Sequence, residues 1–233
     1  MPHQYALASL ALVQIGSDKK PVGYASGCLV RYKAEMFLFS VDHATGNGGN
    51  WAVQHRYDAE KGVELFPVGE MNFIQVGRLK KSKLRDVDFS YKRLTVPISP
   101  VHQEVDDQLK VSLEMPKTVL NSELSAIPNG EHTYGFFGLT QQRLDGALLH
   151  QVPKLEVGMR CVKSEGDYHE FELLKPYRKI AEYQGCSGAP ILDEAGTLVA
   201  LVVEGNKRKT RIRGLNLSAY AAVLDAQILV DRN

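Results

Sequence analysis

Gly185-Cys186-Ser187-Gly188-Ala189-Pro190 is a small-residue turn that lifts one hydroxyl, that of Ser187, between two glycines and ends in a proline that opens a new apolar run. A serine acts as a nucleophile when its oxygen stands exposed on a tight turn whose own N–H groups point at the developing oxyanion. A glycine two positions earlier leaves those N–H groups unobstructed. The pattern nominates Ser187 as nucleophile and the N–H groups of Gly185 and Ser187 as oxyanion donors. Gly-x-Ser-Gly also forms ordinary hairpin turns, so the hexapeptide needs a base and an orienting acid elsewhere in the chain before it means catalysis.

Both are found upstream. Phe37-Leu38-Phe39-Ser40-Val41-Asp42-His43-Ala44 is an apolar strand that stops in a polar turn, setting His43 at the edge of a sheet as a candidate base. Arg85-Asp86-Val87-Asp88-Phe89-Ser90-Tyr91 then sets a carboxylate at the mouth of another strand. Two aspartates compete for the role. Counting from Asp86 buries Asp88 two residues into the strand, and an unpaired buried carboxylate costs several kcal/mol, so the register favours Asp88 as the acid and leaves Asp86 as a loop charge.

The order His43, Asp88, Ser187 and the words around each residue resemble the trypsin/chymotrypsin-like serine peptidase superfamily, in particular its intracellular and bacterial members without an activation peptide. The resemblance covers nearly the whole chain. Ser40-Val41-Asp42-His43-Ala44 is similar to the family's Thr-Ala-Ala-His-Cys, and Asp88-Phe89-Ser90-Tyr91 to Asp-Ile-Ala-Leu. Gly185-Cys186-Ser187-Gly188-Ala189-Pro190 is similar to Gly-Asp-Ser-Gly-Gly-Pro. The resemblance implies an all-β fold of two six-stranded antiparallel β-barrels with a C-terminal α-helix, the active site between the barrels. It also implies a serine endopeptidase acting on a protein or peptide substrate through an acyl-enzyme. The strand 198–205 is implied to receive substrate backbone, and the primary specificity pocket is implied to have its floor at Ala181, beside Glu182, and its walls at Val203, Glu204, Gly205 and Gly214.

Cys186 stands where secreted relatives keep an aspartate that pairs with a newly cleaved N-terminus, so that switch is absent. The oxyanion loop is then either held constitutively or assembled when an activating protein partner binds. Cys186 as nucleophile requires a shifted turn, because the family slot for that role is filled by Ser187. An uncharged floor at Ala181 argues against a preference for basic side chains, unless Glu182 turns inward. Two basic runs flank the cleft, Lys80, Lys81, Lys83 and Arg85 before the acid and Lys207, Arg208, Lys209, Arg211 and Arg213 after the substrate strand. They suggest recognition of acidic substrate residues upstream of the scissile bond, against the plainer reading of two solvated hairpins. Two other functions remain open: a peptidase-like module with a silent site that only docks a partner, and an esterase or self-cleaving regulator.

At 233 residues the chain can bury a sizeable core without staples, and a net charge of +1 gives no global drive towards nucleic acid or an anionic membrane. The three cysteines, Cys28, Cys161 and Cys186, are odd in number and lack metal spacing. They point to a reducing, cytoplasmic setting with no metal and no cofactor. Residues 6–13 read as a first strand rather than a signal peptide core, since no Lys or Arg precedes them, and no apolar run approaches the ~20 residues needed to span a bilayer. Further strands are expected at 27–32, 36–39, 51–57, 74–76, 89–94, 134–138, 142–152, 169–174, 189–192, 198–203 and 211–217. Ser218 is expected to cap a helix from 219 to about 229 with Tyr220, Val223, Leu224 and Ile228 on one face. One peptidase domain is expected over 1–233, with an N-terminal barrel over 1–105, a C-terminal barrel over 106–217 and a closing helix over 218–233.

Overall fold

The computed structural model describes residues 2–46, 48–76, 85–106, 108–145, 148–177, 179–206 and 210–230. Its helices are α1 (Pro2–Ala8), α2 (Asp42–Thr45) and α3 (Ala221–Val230). The strands of the N-terminal half are β1 (Leu10–Ile15), β2 (Pro21–Tyr32), β3 (Glu35–Ser40), β4 (Asn50–Asp58), β5 (Gly62–Gly69), β6 (Asn72–Val76) and β7 (Arg85–Arg93). Strand β3 illustrates how they form. Successive side chains of a strand point to opposite faces, and β3 sends Phe37 and Phe39 into one apolar cluster and Leu38 into another. Strand β2 does the same beside it, with Cys28 and Val30 on the first side and Leu29 on the second. A strand buried on both faces reads as a continuous apolar run, which is why this segment stands out in the sequence.

The ladder of this half runs β5-β4-β1-β2-β3-β7-β6, curled around Trp51, Leu12, Leu38 and Val53. Among the described residues it is an open path, where the sequence predicts a closed six-stranded barrel. Beyond it, β8 (Val101–Val105) and β9 (Val111–Pro116) form a separate hairpin, and β10 (Val119–Asn121) returns to pair in parallel with β2. The first half therefore continues to Asn121, past the boundary expected at 105.

The C-terminal half is a closed barrel of β11 (Tyr134–Asp145), β12 (Leu148–Glu165), β13 (Tyr168–Glu172), β14 (Pro190–Asp193), β15 (Leu198–Gly205) and β16 (Arg211–Asn216), in the order β11-β12-β13-β16-β15-β14. Phe136, Phe171, Ile191, Ala200 and Ile212 fill it. The single strand expected at 142–152 is divided between the end of β11 and the start of β12, which pair antiparallel with Asp145 opposite Leu148. A third cluster joins the halves, with Phe39, Phe89 and Tyr91 packed against Leu201, Leu215 and α3 residues Leu224 and Ile228. Phe89 stacks on Tyr220 at 4.8 Å.

The all-β class with a closing helix is as the sequence predicts, while both chain ends differ in detail. Residues 6–8 are helical rather than extended. Ala6-Leu7-Ala8 favours helix, and the helix's last carbonyls are satisfied from outside: Lys117 Nζ donates to the carbonyls of Ala6 and Ser9, both at 2.7 Å, and the Thr118 N–H donates to that of Leu7. At the other end α3 begins at Ala221 after a short 3₁₀ turn, Ser218–Tyr220. Ser218 does not cap it. Its N–H and hydroxyl both donate to Asn216 Oδ1. The expected buried face holds, with Tyr220, Leu224 and Ile228 buried and Val223 partly so.

Candidate active site

Strand β3 ends at Ser40 and the chain enters α2, whose second residue is His43. Ser40 pairs with Ser90 of β7, and two residues earlier on β7 stands Asp88. Val87, Phe89 and Tyr91 are buried in the inter-half cluster, so alternation turns Asp88 to the opposite face, towards α2. The Asp88 carboxylate accepts the His43 backbone N–H at 2.9 Å, and both its oxygens lie 2.9 Å from Nδ1. Its side chain is only 16% exposed. The competing Asp86 contributes its backbone to the β6 ladder, opposite Gln75, and its side chain lies outside the described residues.

His43 Nε2 is 3.0 Å from Ser187 Oγ. Asp88, His43 and Ser187 therefore form one continuous row of polar contacts between the two halves. With the proton on Nδ1 facing the carboxylate, Nε2 is left as an acceptor beside Ser187 Oγ, whose hydroxyl also donates to the Val203 carbonyl at 3.2 Å. The hydrogen bond to Asp88 holds the His43 imidazolium above the ordinary histidine range. Burial opposes this, and the charges of Asp88, Glu204 and Asp42 add to it.

The turn bearing Ser187 is shaped by glycines and anchored across the interface. Gly185 and Gly188 take φ of 104° and 89°, a region that disfavours any side chain. A Cβ on Gly185 would strike the Leu139 carbonyl, and one on Gly188 would strike Ser26 and Ser40. Ser26, fully buried on β2, is the anchor: its hydroxyl donates to the Gly185 carbonyl at 2.7 Å and its N–H to the Ser187 carbonyl at 2.9 Å. Ser40 Oγ donates in turn to the Ser26 carbonyl at 2.7 Å. Sequence reasoning missed Ser26, because one serine in a twelve-residue strand carries no local signal.

Within the turn the Cys186 N–H donates to the Tyr183 carbonyl and the Gly188 N–H to that of Val202. Cys186 is fully buried. A Cβ on Gly138 would come within 2.6 Å of its Sγ, and burial pushes the thiol up to about 12, so it is inert as a nucleophile.

The residues expected around the primary pocket are arranged differently. Ala181 lies in the 3₁₀ turn Ile180–Tyr183, its side chain outside the described residues. Glu182 does not turn inward: it accepts the Lys179 N–H at 3.0 Å and lies 4.0 Å from Lys154 Nζ. Val203 and Glu204 do border the centre. Ser187 Oγ is 3.2 Å from the Val203 carbonyl, and Val203 and Glu204 line a 380 Å³ hollow with Asp42, His43, Asp88 and Tyr168. Gly214 faces the barrel interior, where a Cβ would meet Ala200, Ile191 and Phe171. Gly214 pairs with Val202, and beyond a register shift between Val202 and Glu204 it is Ile212 that stands opposite Gly205.

Of the two basic runs, Lys80, Lys81, Lys83, Lys207, Arg208, Lys209 and the Arg85 side chain lie outside the described residues. Arg211 is paired with Glu170 at 2.9 Å, and Arg213 with Glu204 at 2.7 Å. The three cysteines are free thiols.

No protein-family model matches the sequence, and no curated protein matches it either. The fold, by contrast, is found in solved structures. Neuropsin, a serine protease expressed in the limbic system of mouse brain, aligns over 98% of this chain and 96% of its own at 12% identity, with a TM-score of 0.59. The scabies mite inactivated protease paralogue S-D1 aligns over 97% and 93% at 11% identity, TM-score 0.58. The MamO protease domain of Magnetospirillum magneticum aligns over 100% and 99% at 13% identity, TM-score 0.50. The chain has the trypsin/chymotrypsin-like serine protease fold. One of these structures is of a protease described as inactivated, so the fold alone does not decide activity.

Proposed function

On a fold shared with serine proteases, we propose that this protein is a serine endopeptidase with Asp88, His43 and Ser187 as its acid, base and nucleophile. The carrying observation is the pair of contacts at His43, 2.9 Å to Asp88 and 3.0 Å to Ser187. In this reading Ser187 Oγ attacks the carbonyl of a protein or peptide substrate as its proton passes to His43 Nε2, and Asp88 holds the tautomer and the imidazolium. The N–H groups of Gly185 and Ser187 bind the oxyanion, an interaction whose loss typically costs ~10²–10³ in rate. His43 then gives its proton to the leaving amine, and water hydrolyses the acyl-enzyme by the same relay. Because Ser26 already ties the Ser187 turn to the first half, the reading favours a centre assembled without an activating partner.

The test is a fluorophosphonate read by intact mass on wild type, Ser187→Ala and Cys186→Ala. One adduct in wild type and Cys186→Ala, lost in Ser187→Ala, is the expected result. An unmodified wild type would replace the reading with a silent, partner-binding module. No helix among the described residues is long and apolar enough to cross a membrane.

A further inference from the structure

The proposal here deepens that reading by naming the class of residue accepted before the scissile bond, and it rests on it. The Val203 carbonyl lies 3.2 Å from Ser187 Oγ, so β15 runs directly beside the nucleophile. A substrate backbone laid along β15 brings the side chain of the attacked residue against the next inward-facing position of the strand. Glu204 is exposed over the hollow beside His43, and the next residue, Gly205, directs its Cβ position at buried Tyr177 of the C-terminal barrel, which makes it the inward-facing position. A glycine there would ordinarily open room for the substrate side chain.

In this chain the room is occupied. A Cβ on Gly205 would collide with Tyr177, meeting the phenol oxygen and, at 2.8 Å, Cζ. Tyr177 is 5% exposed, and its hydroxyl donates to the Asn206 carbonyl at 2.7 Å. Its ring packs edge-on against Tyr183 at 4.8 Å. Ile212, fully buried, stands opposite Gly205 on β16. A hydrogen bond, an aromatic partner and near-complete burial hold the phenol in one place, so it behaves as part of the wall rather than a gate.

We propose that Tyr177 is a specificity-determining residue that fills the primary slot and restricts the residue before the scissile bond to glycine or alanine. A side chain larger than a methyl must displace a packed aromatic ring, and steric exclusion of this kind separates substrates by about 10²-fold or more.

Peptidyl diphenyl phosphonates carrying Gly, Ala, Phe, Lys or Glu at that residue test it on the full chain, with the rate of adduct formation read by intact mass. Wild type should react with the Gly and Ala reagents at least about 10²-fold faster than with the Phe reagent. Tyr177→Ala should gain the Phe reagent, and Tyr177→Phe, which keeps the ring, should retain the wild-type order. Equal rates for Ala and Phe on wild type would overturn the proposal while leaving the serine hydrolase reading intact. So would labelling by a small fluorophosphonate with no reaction of the Gly and Ala reagents. Wild type inert to every reagent would overturn both. The wild-type comparison decides the matter even where Tyr177→Ala does not fold.

Discussion

The row from Asp88 to Ser187 and the slot beside Gly205 adjoin the same strand, yet one is open to a substrate and the other is filled by the protein itself. The row is built from both halves: His43 and Asp88 ride on β3–α2 and β7, and Ser187 on the turn before β14. The slot belongs to the C-terminal barrel alone and is closed by Tyr177, from the segment between β13 and the 3₁₀ turn. The contrast separates chemistry from selectivity. In the proposed reading the row of Asp88, His43 and Ser187 decides what bond breaks, and the packing beside it decides which residues approach.

The contrast breaks most sharply at Ser187. Ser187→Ala should lower peptide or ester hydrolysis by about 10⁵–10⁶, measured as kcat, with the thermal unfolding midpoint near wild type. Asp88→Asn should cost about 10³–10⁴, because an amide N–H directed at Nδ1 drives the imidazole proton to Nε2, which can then no longer accept from Ser187. Asp86→Asn should leave kcat unchanged. A large loss in Asp86→Asn together with a mild one in Asp88→Asn would mean that the acid had been assigned in the wrong register. Both aspartate variants are compared with the same substrate, so the slot is held constant while the row is altered.

The row was legible in sequence because each member sits in a local word whose physics is self-contained. A glycine-flanked serine, a histidine ending an apolar strand and an aspartate entering an alternating strand are each readable within a few residues. Alternation alone does not separate Asp88 from Asp86, because residues two apart share a face; Asp86, expected as a loop charge, lies within β7, and it is the contact with His43 that singles out Asp88. The slot was not legible, because its content depends on distant parts. Tyr177 comes 28 residues before Gly205 in sequence and meets it only through the closure of the barrel. The register shift between Val202 and Glu204 then sets Ile212 rather than Arg211 opposite Gly205, and no periodicity in β16 announces it. The first helix was misread for the same reason. Ala6-Leu7-Ala8 is ambiguous locally, and Lys117 and Thr118, which satisfy its carbonyls, lie over a hundred residues away.

Ser26 sharpens the comparison at the point where the halves meet. Its hydroxyl and N–H hold the carbonyls of Gly185 and Ser187, the same two residues whose N–H groups are proposed to bind the oxyanion. Ser26→Ala removes the hydroxyl and leaves the Gly185 carbonyl unpaired, at a cost of about 1–3 kcal/mol in a denaturant titration. The same variant should lower kcat more than it raises KM, since a loosened turn weakens a donor used mainly in the transition state. An unchanged kcat with the full stability loss would reduce Ser26 to a packing residue and leave the turn self-supporting. The barrel alone would then account for both the turn and the slot.

The smallest effect lies in the hollow between row and slot. Rate should rise with pH as His43 loses its proton, because only the neutral imidazole accepts from Ser187. The Asp88 hydrogen bond raises that pKa, and the Glu204 and Asp42 charges assist, so the acid limb should fall above the ordinary histidine range. Glu204→Gln removes one of these charges and leaves Arg213, now without its partner at 2.7 Å, as a nearby cation. Both changes disfavour the imidazolium, so the acid limb of kcat/KM should move to lower pH. Because Glu204 is exposed, the displacement should shrink as salt is raised and the Debye length contracts below ~8 Å. A limb that does not move at low salt would assign the raised pKa to Asp88 and Asp42 without Glu204. A limb that moves to higher pH would contradict the sign of the electrostatics, and with it the assignment of His43 as the group being titrated.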